Sequence, residues 1–111
     1  MDYDNRIFRG RSNSDNGQVS DSTHFHYHQQ GNDLTGTYSG GVIASGHLQG
    51  KVEENGDLYF LYHHVTVDGR LMAGECRSVP SFDECGKLVL QESWQWFTGD
   101  RFHGVSEVEE C

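Results

Sequence analysis

The chain has 111 residues, 34% of them hydrophobic, and a net charge of −9 from 17 Asp and Glu against eight Lys and Arg. Such a charge, without any basic run, lacks the positive field that binds nucleic acid or anionic membranes, so neither is expected as a partner. No apolar run approaches the roughly 20 residues that span a bilayer, and the N-terminus has no hydrophobic signal core, so a cytoplasmic location is expected.

Turn-forming residues recur along the chain at nearly even spacing. They are Asn16-Gly17, Gly31-Asn32-Asp33, Gly40-Gly41, Asn55-Gly56, Asp68-Gly69, Cys85-Gly86 and Gly99-Asp100. Asn-Gly and Asp-Gly tolerate positive φ at both central positions, as type I′ hairpin turns require. The segments between the turns have the length of strands, and none has the spacing of an amphipathic helix. The pattern therefore predicts an all-β meander.

Eight strands are predicted in one domain over residues 1–111, after a loose tail over residues 1–5. They are Ile7–Ser12, Ser22–Gln30, Leu34–Ser39, Val42–Val52, Leu58–Val67, Arg70–Val79, Lys87–Phe97 and Arg101–Val108. An antiparallel up-and-down sheet of this kind has two open edges, which closure into a barrel removes. An open two-sheet sandwich is the structural alternative. The loop Val79–Cys85, with the only proline, is expected to cover one mouth of the barrel.

Glycines inside the predicted strands favour a small, coiled barrel. They are Gly36, Gly46, Gly50, Gly74 and Gly104. In the fourth strand, alternation places Ala44, Gly46, Leu48 and Gly50 inward and Ile43 outward. Small residues that face aromatic ones across a narrow barrel predict an interior that is either tightly interlocked or a ligand cavity.

The strand KLVLQESWQWF carries the most informative pattern. Alternation places Leu88, Leu90, Glu92, Trp94 and Trp96 on one face. A carboxylate desolvated by indoles has a raised pKa and could bind a ligand or act as an acid or base. The alternative is a buried acid that is paired with Arg or His and only stabilises the barrel.

Three further residues are expected on the same interior. Tyr62 and His64 share the inward face of the fifth strand, and Tyr38 lies at the end of the third. With Glu92 and the two tryptophans they form the predicted ligand-binding set. An enzyme that uses Glu92 with His64 or Tyr62 stays open as an alternative, and no cofactor is expected.

The segment THFHYHQ places three histidines on one face of a strand. His24 and His26 are weak candidates for a metal pair, which would need a third ligand such as His103. Because Phe25 and Tyr27 are expected to face the core, we interpret the histidines as a solvated outer row. Cys76 is interpreted as a small buried residue, since no local signature activates its thiol.

Several apolar residues are expected on the outside of the barrel. They are Tyr59, Leu61, Val65, Val89 and Phe97. Exposed apolar patches of this kind often form oligomer interfaces, so a homodimer is expected.

The segments GTYSGGVIASGHLQGKVEENGDLYFLYHH and ESWQWFTGD resemble a group of small bacterial proteins of unknown function, which often carry the label N-acetylglutamate synthase. The resemblance implies a calycin-like barrel, similar to lipocalins, fatty-acid-binding proteins and avidin, and LTGTYSGG is similar to an avidin hairpin. The residues do not support the label, because acetyl-CoA binding of the usual kind needs a glycine-rich turn that opens a helix.

Three functions follow from this sequence. The first is a small molecule bound in an aromatic interior, which predicts a cavity of a few hundred cubic ångströms. The second is a structural homodimer with a filled interior, and the third is a small enzyme with Glu92 as its acid or base.

Overall fold

A computed structural model describes residues 2–14 and 17–111 as one closed barrel of eight antiparallel strands. Each strand pairs with the next in the chain, and the last pairs with the first. The strands are β1 Ile7–Asn13, β2 His24–Gln30, β3 Asp33–Gly40, β4 Ile43–Val52, β5 Leu58–Thr66, β6 Leu71–Phe82, β7 Leu88–Trp96 and β8 His103–Glu110. The predicted meander and its closure are confirmed, and the open sandwich is excluded. The described residues form no helix that is long and apolar enough to cross a membrane.

Strand β6 is longer than predicted. It continues through Pro80, which pairs with Leu90, to Phe82. Most of the loop predicted over Val79–Cys85 is therefore strand. Pro80 is tolerated there because β5 pairs with β6 only as far as Ser78, so that beyond it β6 has a free edge, where proline is accepted.

The turns at Asn55-Gly56 and Asp68-Gly69 use positive φ at the glycine alone. Gly56 has a φ of 90° and Gly69 a φ of 91°, whereas Asn55 and Asp68 do not adopt the left-handed region. The type I′ geometry predicted at these two turns is therefore wrong. The Asn16-Gly17 turn cannot be compared, because Asn16 lies outside the described residues.

Alternation places the predicted residues inward along most strands, with two corrections. A bulge in β4 between Ile43 and Ser45 shifts the register, so that Ile43 is buried and Ala44 is exposed. A bulge adds one residue and so reverses which side chains face inward. Val89 is also buried, because it pairs with Glu109, whose ion pairs with Arg9 and Lys87 occupy that part of the outer face.

The other predicted outer residues do face solvent. Leu61 is 51% exposed and Phe97 46%, with Tyr59 also exposed and Val65 half-buried. The homodimer stays a prediction.

The N-terminus seals one end of the barrel, which we call the closed end. Tyr3 is fully buried there, and its hydroxyl donates to the Gly56 carbonyl over 2.6 Å. The Asn5 N–H also donates to the Tyr27 carbonyl. The loose tail predicted over residues 1–5 is therefore not observed for Tyr3 and Asn5. The Tyr3 side chain fills a space that the strands alone leave open at this end.

The opposite end, the mouth, holds residues 17–23 of the connection between β1 and β2. Thr23, near the end of that connection, is buried, and its N–H donates to the Ser20 carbonyl. The Gly10 N–H in turn donates to the Thr23 carbonyl, which ties the connection to β1. Gln18 and Val19 reach inward from the same connection and line the interior.

Candidate functional site

Strand register brings the predicted site residues together near the mouth. Tyr38 pairs with Gly46, which pairs with His64, so these three form one row across β3, β4 and β5. A second row joins Tyr62, Gly74 and Trp96, and a third joins Cys76, Trp94 and Gly104. Each large ring therefore has a glycine as its neighbour on an adjacent strand.

The glycines are required by this packing. A Cβ atom at Gly46 would lie 2.4 Å from the Tyr38 ring, and one at Gly104 would lie 2.6 Å from the Trp94 ring. Both distances are far below van der Waals contact, so any side chain there would push the ring out of place. The rings therefore lie flat against the opposing backbone. The alternation of small and large residues predicted an interlocked interior or a cavity, and the structure has an interlocked interior with a small space left in it.

Glu92 lies in a fourth row, between two serines in register. Ser78 on β6 and Ser106 on β8 pair with it, and all three are buried. The Ser78 hydroxyl donates to Oε2 over 3.0 Å, and the Ser106 hydroxyl donates to Oε1 over 3.2 Å. Burial raises the pKa of Glu92 to about 7, and the serine hydrogen bonds hold it below what burial alone would give.

No cation among the described residues compensates this carboxylate. Among the residues that the structure describes, the salt bridges all involve other acids, and neither Lys nor Arg lines the space beside Glu92. The sequence had offered a structural pair with Arg or His as the alternative for this acid. Two serine hydroxyls donate to the Glu92 carboxylate instead.

His64 stands in a hydrogen-bonded chain that runs from β3 to the mouth. Tyr38 Oη lies 2.9 Å from His64 Nδ1, and His64 Nε2 lies 2.6 Å from Gln18 Oε1. An amide oxygen can only accept, so Nε2 carries the proton, and Nδ1 accepts from the Tyr38 hydroxyl. Burial lowers the pKa of His64 to about 4, so the ring is neutral at pH 7. Each nitrogen of this neutral ring is therefore satisfied.

Aromatic rings wall the space between His64 and Glu92. The Trp96 ring centroid lies 5.4 Å from that of Tyr62, 5.5 Å from that of His64 and 5.7 Å from that of Trp94. Phe25 stacks on Tyr38 at 4.9 Å. Separations of this size are those of favourable aromatic pairs. The walls therefore support one another and form a rigid surface.

The free space enclosed by these residues is about 40 Å³. One water needs roughly 10–15 Å³ of such space, so about three waters would fill it. The cavity of a few hundred cubic ångströms expected from the sequence is therefore not present in this arrangement. Gln18 and Val19 account for part of the difference, because they line the space from the mouth side.

The structure thus brings all six predicted residues to one cavity: Tyr38, Tyr62, His64, Glu92, Trp94 and Trp96. Sequence reasoning missed three residues whose side chains bond to Glu92 or His64. Ser78 and Ser106 could have been found by extending the inward alternation of β6 and β8, since Ser78 follows Gly74 and Cys76 at even spacing. Gln18 gave no signal, because it lies outside the regular strands.

The histidines of β2 lie outside the barrel, as expected from their alternation with Phe25 and Tyr27. His24 and His28 are exposed, and the rings of His26 and His28 lie 4.4 Å apart. Within residues 2–14 and 17–111, no group of three or more His, Cys, Asp or Glu side chains is arranged to hold a metal ion.

Comparison with known proteins identifies the family. No curated protein and no solved structure matches the chain significantly. The family described as "Avidin-like protein" matches residues 1–111, which is the whole sequence. This agrees with the closed eight-stranded barrel and with the calycin-like outline that the sequence implied. The chain therefore belongs to the avidin-like family.

Proposed function

We propose that this protein binds a small molecule in the mouth half of its barrel, between Trp94, Trp96 and His64. The observation that carries the proposal is the enclosed space that Tyr38, Tyr62 and Glu92 also line. Its aromatic walls with a few oriented polar groups have the character of small-molecule pockets in general.

The side chain of Gln18 is central to how such a ligand would enter. Its amide oxygen accepts a hydrogen bond from His64 Nε2. A ligand with an acceptor group would bind to the same N–H. A ligand larger than about three waters therefore has to replace the Gln18 amide and take over its hydrogen bond. The loss of that bond is offset if the ligand presents its own acceptor to His64.

Binding can be followed directly, because Trp94 and Trp96 are the only tryptophans of the chain. We expect a screen of compounds below about 200 Da to yield hits that change Trp fluorescence. Gln18→Ala should bind the same hits more tightly, because nothing then has to be displaced. An increase of about tenfold corresponds to one net hydrogen bond of roughly 1.4 kcal/mol.

Gln91→Ala is the matched control, since Gln91 is exposed on the outer face of β7. This variant should bind the hits as the wild type does. A screen without hits in both the wild type and Gln18→Ala would refute the proposal. Hits that are indifferent to Gln18 but weakened by Gln91→Ala would place binding on the outside of the barrel.

A further inference from the structure

The buried carboxylate of Glu92 bears on what kind of molecule the cavity takes. Each carboxylate oxygen can accept about two hydrogen bonds. The structure supplies one serine hydroxyl to each oxygen, and the Cys76 thiol is a third donor to the carboxylate. Acceptor capacity therefore remains on a group that lines the enclosed space. A carboxylate away from water needs a positive partner or several donors to be stable as an anion.

Nothing in the described interior supplies that positive charge. The titratable groups that line the cavity come from four strands: Tyr38 from β3, Tyr62 and His64 from β5, Cys76 from β6 and Glu92 from β7. All of them except Glu92 are neutral at pH 7. Burial raises the pKa of Tyr38, Tyr62 and Cys76 and lowers that of His64.

A second buried polar group nearby is also unsatisfied. The side-chain oxygen of Asn13, which lines the cavity, is buried and has no hydrogen-bond partner among the described residues. The Asn13 amide nitrogen donates to the Val19 carbonyl over 3.0 Å. An amide oxygen accepts hydrogen bonds. It therefore adds a second acceptor for a ligand that carries several N–H donors.

The walls of the cavity favour positive charge as well. The faces of Trp, Tyr and Phe rings attract cations, most strongly when water is excluded. Trp94, Trp96, Tyr38 and Tyr62 present such rings around the acid. The net charge of −9 also raises the concentration of cations near the protein.

We propose that the ligand is a small organic cation with a primary ammonium group, which donates to Glu92 while its carbon chain packs on Trp94 and Trp96. This inference rests on the proposed function, because it needs a ligand in the same cavity. The ammonium group takes up the free acceptor capacity of the carboxylate. The aromatic rings then surround the rest of the molecule.

A matched series of probes tests the charge. We would titrate n-butylammonium, n-butanol and butanoate at pH 8 and follow Trp fluorescence and heat. We expect n-butylammonium to bind more tightly than the other two. Glu92→Gln keeps the shape and removes the charge, and it should weaken n-butylammonium by roughly tenfold to a hundredfold, as for a hydrogen bond to a charged group. Glu84→Gln, an equal change of charge in an exposed turn, should leave binding unchanged.

The pH dependence gives an independent readout. Because the ammonium needs the ionised carboxylate, its affinity should rise about tenfold per unit as the pH increases toward 7 and level off above it. Glu92→Gln should show no such slope. A thermal melt of each variant establishes that it is folded at the temperature of titration.

Three outcomes would overturn the inference. They are equal or tighter binding of n-butanol or butanoate, undiminished binding of n-butylammonium to Glu92→Gln, and no response of the wild type to any of the three probes. The compound screen with Gln18→Ala decides the proposed function separately. Neutral or anionic hits that depend on Gln18 would leave that function standing and refute only the cationic ligand.

Discussion

The two halves of the barrel are built from different chemistry. The closed end is packed with apolar and tyrosine side chains that are completely excluded from solvent, and they come from the N-terminus and five strands: Tyr3, Phe8, Leu34, Leu58, Leu90 and Val108. The mouth half contains two buried ionisable groups, Glu92 and His64, together with a hydrogen-bonded chain and the enclosed space. Dispersion and hydrophobic burial stabilise the first half, whereas the second half keeps groups that would be more stable in water.

This difference shows that one half of the barrel supplies the stability and the other half carries the groups of the proposed binding site. A barrel with one sealed, apolar end can carry an uncompensated acid in its other half, because the total stability is supplied elsewhere. Strained or poorly solvated groups persist in proteins when the surrounding structure over-determines their positions. The predictions below are designed to weaken one half and observe the other.

The largest effect is expected at the closed end. Leu58→Ala should lower the free energy of unfolding by about 2–5 kcal/mol, because it removes a fully buried side chain and leaves a void. Urea unfolding measures the change. Leu61→Ala is the control on the same strand, since Leu61 is 51% exposed, and it should shift stability by less than about 0.5 kcal/mol. Equal losses for both variants would show that burial at the closed end is not what supplies the stability.

The second effect sharpens the comparison through pH. Burial raises the pKa of Glu92 from its ordinary value of 4.5 to about 7 in the folded protein. The folded protein therefore binds more protons than the unfolded chain between these pH values. Stability from this group is therefore full below about pH 4.5 and is lost as the pH rises to 7. Glu92→Gln should be more stable than the wild type by roughly 3 kcal/mol at pH 8.

The same variant should differ little from the wild type near pH 4, where both side chains are uncharged. The free energy of unfolding measured from pH 4 to pH 8 tests this, with Glu84→Gln as the control for net charge. A wild type that is more stable than Glu92→Gln at pH 8 would show that the carboxylate stabilises the barrel. In that case the contrast between the two halves would disappear.

The smallest effect is expected from filling the space of a glycine in the mouth half. Gly46→Ala should cost about 1–3 kcal/mol, because its Cβ atom would lie 2.4 Å from the Tyr38 ring, and that ring is stacked on Phe25 and cannot yield. It should also break the contact of Tyr38 with His64. Urea unfolding and the chemical shift of the His64 ring measure the two effects. Ser45→Ala, exposed on the same strand, should leave both unchanged.

Alternation located most of the candidate site. The inward positions of Glu92, Trp94, Trp96, Tyr62 and His64 were predicted because a strand without bulges presents every second side chain to one face. The same rule failed at Ile43, where a bulge changes the register, and at Val89, where long charged side chains cover the outer face. Bulges and surface coverage depend on neighbouring strands, which alternation within one segment does not reveal.

The ends of the barrel were predicted least well. Tyr3 was placed in a loose tail, and Gln18 and Val19 of the β1–β2 connection, which line the cavity from the mouth, were given no role. These segments have no regular periodicity, so their positions depend on which space the strands leave unfilled. The size of the cavity was missed for the same reason, since Gln18 and Val19 occupy space that alternation alone assigned to a ligand.

The sequence by itself determined the class of the protein, because turn residues at even spacing and period-two alternation are local properties that a chain expresses wherever it folds. It also determined that an acid would share a face with two tryptophans. Only the tertiary structure decided that two serines, and no cation among the described residues, meet that acid, that Gln18 bonds to His64, and that the space between them is small. Those facts depend on the register between strands far apart in the chain, and backbone pairing and packing across the whole barrel set that register.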